Sequence, residues 1–222
     1  MSSPNPYAAP LSDISPGGGE WLQSDSLELT NTKRGLFIVY IGIVLVLLGL
    51  IGATVLSALE LNSLQYIPGG IMALGVLLNT IGPFFCLSVP SATGAKGLIF
   101  GSVACQLLNI AVVVTALTGI MPAIKSINSV FGGLAAILFI LFMRRLAVFI
   151  GRGDLASEAT RTLLAAAIVV LLVVVSTIMF SIASPFGVVL MFAAGLTALV
   201  GFVMYANLLN ALRKALTPGE GK

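Results

Sequence analysis

An all-α bundle of six transmembrane helices is the fold class this sequence predicts, and three observations predict it. The chain is 58% hydrophobic and only 9% charged, with a mean hydropathy of +1.11, where a soluble domain carries about 25% charged residues. Six apolar stretches follow one another, each of the order of the ~20 residues that cross a bilayer as a helix. The basic residues stand at the ends of those stretches, where topology signals stand.

The elements follow in chain order. Residues 1–24, "MSSPNPYAAPLSDISPGGGEWLQS", are too rich in Pro, Gly and Ser to offset their ordering entropy by burial, and predict disorder. No basic segment precedes a short apolar core with a small-residue cleavage site, so they do not read as a signal peptide. Trp21 reads either as an interfacial anchor or as a solvated side chain. Asp25, with Glu28 three residues on, predicts a capping box that opens a short helix just before the membrane. Residues 1–32 thus form a disordered tail with a juxtamembrane helix, residues 33–214 the transmembrane domain, and residues 215–222 a short C-terminal tail. The expected spans are Gly35–Leu59, Ile67–Pro90, Gly97–Met121, Ile124–Met143, Thr162–Ala183 and Phe186–Leu212. The fourth is the least clean, with Lys125 and Asn128 near its start.

With six spans, Lys33, Arg34, Lys96, Arg144, Arg145, Arg152, Arg161, Arg213, Lys214 and Lys222 share one side, and Lys125 stands alone on the other. The positive-inside rule then places both termini in the cytoplasm. Arg144-Arg145 would cost roughly 2.5–3.5 kcal/mol each at the bilayer centre, so they mark the cytoplasmic interface. Beyond them Leu146, Phe149 and Ile150 share one helical face, so the fourth helix is expected to continue past the surface or to bend along it. Gly151 and Gly153 are expected to end it, Asp154 to cap the next helix, and Glu158 to pair weakly with Arg161. The resulting hairpin, residues 144–161, is either a solvated, topology-setting turn or a docking surface for a protein partner or anionic lipid through Arg144, Arg145, Arg152 and Arg161.

Chemistry has few places to reside. The pI near 9.1 does not imply nucleic acid, because the basic residues form no patch. Histidine is absent, and the two cysteines, Cys86 and Cys105, lie inside apolar runs as free, buried thiols. No predicted span holds a charged residue away from its ends, so proton relays and intramembrane hydrolysis lose their groups. Phosphate loops and metal-ligand spacings are missing, so neither cofactor nor metal is expected.

The best polar cluster lies between the second and third spans. Pro83, in "LLNTIGPFFC", supplies no N–H to the carbonyl of Asn79. Gln106 and Asn109, three apart on one face, come near the same depth and could satisfy that carbonyl. The cluster is either interhelical glue or a neutral polar site. The small-xxx-small pairs Gly97/Gly101, Gly132/Ala136 and Ala194/Ala198 are expected to let helices approach within the monomer.

The start "NPYAAP" resembles the NPY-x-x-P tag of multi-pass membrane proteins from planctomycete bacteria. The stretch from Arg144 to Arg161 is similar to a cytoplasmic loop in such proteins, of the form RRLA…I…D…LA…TR. Its matching residues are Arg144, Arg145, Leu146, Ala147, Ile150, Asp154, Leu155, Ala156, Thr160 and Arg161. The resemblance implies a bacterial inner-membrane protein and supplies no activity. The leading expectation is a non-enzymatic structural or interaction subunit in the lipid bilayer, meeting a membrane or cytoplasmic protein partner. The alternative is a carrier or substrate-binding subunit for an uncharged or amphipathic solute. A midplane cavity lined by Asn79, Gln106 and Asn109 favours the alternative; a closed core with an exposed hairpin favours the subunit.

Overall fold

The computed structural model describes residues 21–22, 26–117, 125–181 and 186–217. It is an all-α, six-helix, multi-pass membrane fold, with α1 (Leu27–Ala58), α2 (Tyr66–Cys86), α3 (Lys96–Leu117), α4 (Lys125–Phe149), α5 (Gly153–Ser181) and α6 (Phe186–Ala215). All six are long and apolar enough to cross a membrane. Short 3-10 turns, Asn62–Leu64 and Ser91–Thr93, lead into α2 and α3.

The first helix is capped by Ser26, whose Oγ accepts from the Leu29 N–H at 3.3 Å. This replaces the expected cap at Asp25, which lies outside the described residues. Glu28 therefore sits in the first turn, where it favours the helix dipole instead of closing a capping box. The expected juxtamembrane helix and first span are one continuous helix.

The fourth helix runs unbroken through Arg144 and Arg145, which are exposed, to Phe149. It continues because its last turns have something to bury against: Leu146 and Ala147 are fully buried. Trp21 is buried as well, edge-on to Phe149 with ring centroids 6.0 Å apart. It is not solvated, because it packs against the end of α4. Gly151 turns the chain with φ +75, and the Arg152 N–H returns to the Ala147 carbonyl at 2.9 Å. Gly153 and Asp154 were expected to end α4 and cap α5. Instead Gly153 opens α5, and Asp154 lies in its first turn in an ion pair with Arg152 at 2.8 Å. Glu158 and Arg161 form no ion pair among the described residues.

The tightest crossing joins α1 to α2. Gly35, Gly42 and Gly49 recur every seven residues on α1, facing Gly82, Gly75 and Pro68 on α2. Seven residues are two helical turns, so each set forms one stripe. A Cβ on Gly42 would lie 2.8 Å from the Gly75 carbonyl oxygen, and one on Gly75 would lie 2.7 Å from that of Gly42. The backbones are in contact, as small residues permit in membranes. The expected pair Gly97/Gly101 makes no such crossing: Gly97 faces open space, and Gly101 meets only the flexible end of Leu138.

The shared core sits at the end of the bundle that carries the 144–161 hairpin. Leu36, Val39 and Ile43 of α1, Phe142, Met143 and Leu146 of α4, and Leu208, Leu209 and Leu212 of α6 meet there with Cys86 and Ile99. Arg213 lies 4.8 Å over the Phe37 ring at the same end, a cation–π contact between α6 and α1. Away from that end, side chains such as Leu171 (62% exposed) and Phe192 (70%) point outward. An apolar exterior of this extent belongs in lipid.

Candidate functional site

The bond that Pro83 withholds is supplied from another helix. Gln106 of α3 donates its Nε2–H to the Asn79 carbonyl at 3.2 Å. This is the carbonyl that residue 83 would have met in an unbroken helix, and such interhelical bonds are worth about 0.6–2 kcal/mol in membranes. The bridge also fixes the Gln106 amide, because a carbonyl can only accept and so must face the NH2. The Gln106 Oε1 is then an acceptor, and it is buried without a hydrogen-bond partner in the protein, as is Asn109 Oδ1. Each such group costs about 1–3 kcal/mol when left unmet.

Asn109 faces Gly132 of α4. A Cβ on Gly132 would come 3.7 Å from the Asn109 amide. One step toward the core end, Ser102 Oγ donates to the Ala135 carbonyl at 2.8 Å and ties α3 to α4. Between these ties the helices stand apart. A cavity of about 410 Å³ opens there, and Asn79, Thr80, Pro83, Gln106 and Asn109 form its polar wall. Val39 and Ile43 of α1, Phe139 of α4 and Phe202 of α6 form apolar parts of the rest. The Thr80 hydroxyl donates within its own helix, to the Val76 carbonyl.

A second cavity, of about 370 Å³, lies between α4, α5 and α6. Gly133, Ala166, Ala198 and Gly201 leave its space, and Ile137, Ile140 and Val169 face it. Its one aliphatic hydroxyl, on Thr162, donates to the Glu158 carbonyl at 3.0 Å. Ala136, Phe202 and Tyr205 line both cavities and form the wall between them. No charged residue lines either cavity. The chemistry on offer is hydrogen bonding and apolar contact, with no carboxylate, amine or imidazole.

All four polar-site residues expected from sequence, Asn79, Pro83, Gln106 and Asn109, meet at this one place. The sequence did not indicate Phe202 and Tyr205, whose side chains look like ordinary span residues, or the role of Gly132 and Ala136, which read as helix-packing residues. Gly132 faces the Asn109 amide, where an added Cβ would make only ordinary contact, and Ala136 lines both cavities. Ala194 is buried in the monomer, while its partner Ala198 lines the second cavity.

The expected docking arginines are less unified. Arg144, Arg145 and Arg161 are exposed, whereas Arg152 gives both Nε and a terminal nitrogen to Asp154. Of the two thiols, Cys86 is buried and points at the Thr32 carbonyl, 3.9 Å away, but Cys105 is only partly buried, contrary to expectation. Among the described residues no group of three or more His, Cys, Asp or Glu is placed to hold a metal. Comparisons with protein families, curated proteins and solved structures return no match.

Proposed function

We propose that this membrane protein is a non-enzymatic carrier or substrate-binding subunit for an uncharged or amphipathic molecule. The observation that carries this is the cavity of about 410 Å³ whose polar wall is Asn79, Pro83, Gln106 and Asn109. Glue alone would close that space, since interhelical hydrogen bonds in membranes accompany close packing. A few amide and hydroxyl side chains on one wall of an otherwise apolar cavity of ligand size are what a binding site for an uncharged molecule needs. The resemblance of the Arg144–Arg161 loop supports a bacterial cytoplasmic membrane, and the positive-inside asymmetry supports both termini inside. A cysteine in place of Ser157 is then expected to resist an impermeant thiol reagent in intact cells, and labelling from outside would overturn the orientation.

A second reading keeps the protein as an interaction subunit, and the exposed Arg144, Arg145 and Arg161 favour it. Native mass spectrometry of the full chain, extracted gently from its own membrane, separates the two. A small uncharged molecule that co-purifies, and is lost from an Ala136→Phe variant, supports the binding reading. A stoichiometric protein partner with no small molecule replaces it with the subunit reading.

A further inference from the structure

We infer that the cavity of about 410 Å³ is entered sideways, through the gap between α2 and α3, and that its occupant is a lipophilic uncharged molecule dissolved in the bilayer. This deepens the binding reading above and rests on it. The hairpin end of the cavity is sealed. Val39, Phe139 and Tyr205 line that end, and one turn beyond them Leu36, Phe142 and Leu208 are fully buried.

The side between α2 and α3 is open. Val76 of α2 and Ile110 of α3 line this cavity and are also 56% and 41% exposed. A side chain that does both stands at the mouth. The other exposed lining residues, Ala136 and Phe202, line the second cavity as well. Among the described residues, α2 and α3 alone therefore carry exposed side chains that line this cavity only. Helical register sets the two opposite each other. Gln106 reaches across to the Asn79 carbonyl. Val76 lies one turn before Asn79, and Ile110 one turn after Gln106. The two helices run in opposite directions, so both residues stand one turn further from the hairpin than the bridge. Val76 is about 15 Å from either end of α2, a depth at which the exterior is hydrocarbon.

The chemistry of the mouth agrees. Val46, Val76, Ile110 and Val113 line this part of the cavity, all aliphatic, and the Gln106–Asn79 bridge lies a turn deeper. A hydrated solute would shed its water there with no polar group to replace it. A molecule already in the hydrocarbon has no such water to lose.

The test uses the full chain in phosphatidylcholine nanodiscs with benzophenone, an uncharged lipophile that crosslinks on illumination. Peptide mapping is expected to find adducts on Val46 and Val113 in the cavity, beside adducts on the outward-facing Leu171 and Phe192. Ile110→Trp, which fills the mouth, is expected to abolish the cavity adducts and keep the outward-facing ones. A benzophenone sulfonate, confined to water, is expected to give no cavity adducts on the wild type. That comparison stands even if the variant fails to fold. Cavity adducts that persist in Ile110→Trp would overturn the α2–α3 entrance and leave the binding reading intact. Cavity adducts from the sulfonate as abundant as those from benzophenone would overturn the lipid route, again with the binding reading intact. Adducts on Leu171 and Phe192 with none on Val46 or Val113 would overturn both.

Discussion

The α1–α2 seam and the space between α2, α3, α4 and α6 share one helix and fill their volume in opposite ways. Along the seam, glycines on α1 face glycines or backbone on α2, and nothing larger than a hydrogen fits between the chains. Around the cavity, Gly132 faces an asparagine amide, and Gly133 and Gly201 have no neighbour within 4 Å of an added Cβ. Glycine composition is therefore no guide to closeness. A glycine draws helices together only where the opposing surface is itself backbone, in register. Elsewhere it leaves room, and in this protein the room lies beside Gln106, whose amide reaches across from α3 to α2.

The largest expected effect tests the closed side of that contrast. Gly42→Ala gains roughly 1 kcal/mol of helix propensity, but its Cβ would press on the Gly75 carbonyl oxygen. Overpacking costs about 1–3 kcal/mol, and a backbone carbonyl cannot rotate away as a side chain can, so the net is destabilising. Thermal unfolding in detergent is expected to show a lower Tm, and an unchanged Tm would mean the seam has slack.

The next effect concerns the bridge between the two regions. Gln106→Leu is expected to cost about 1 kcal/mol by leaving the Asn79 carbonyl unmet. Pro83→Ala restores an N–H to that carbonyl, so in its background the same change is expected to cost close to nothing. The double-mutant cycle should return a coupling of about 0.5–1.5 kcal/mol. Equal costs in both backgrounds would disconnect Gln106 from the proline. The smallest effect belongs to the open side. At Gly195 nothing lies within 4 Å of an added Cβ, so Gly195→Ala is expected to raise stability by up to about 1 kcal/mol. A fall in Tm there would show that close packing extends further along α6 than the seam comparison allows.

Much of this was legible in the chain. The polar cluster was found because proline leaves a known carbonyl without its donor, and only a side chain can replace that donor within lipid. The hairpin was legible in outline and wrong in detail. Asp154 looks like a cap, but Gly153 begins the helix and Arg152 takes the carboxylate. Trp21 gave no local signal, since its partner Phe149 lies 128 residues further on.

The sequence by itself determined that the chain spans a membrane six times, because hydropathy and backbone satisfaction in lipid are local demands met within each segment. It also determined which carbonyl would need help. Only the tertiary structure decided which small residues close a seam and which open a cavity. That depends on what stands opposite each one, and in lipid, where neighbouring helices and acyl chains are equally apolar, no periodicity along one helix records its partner.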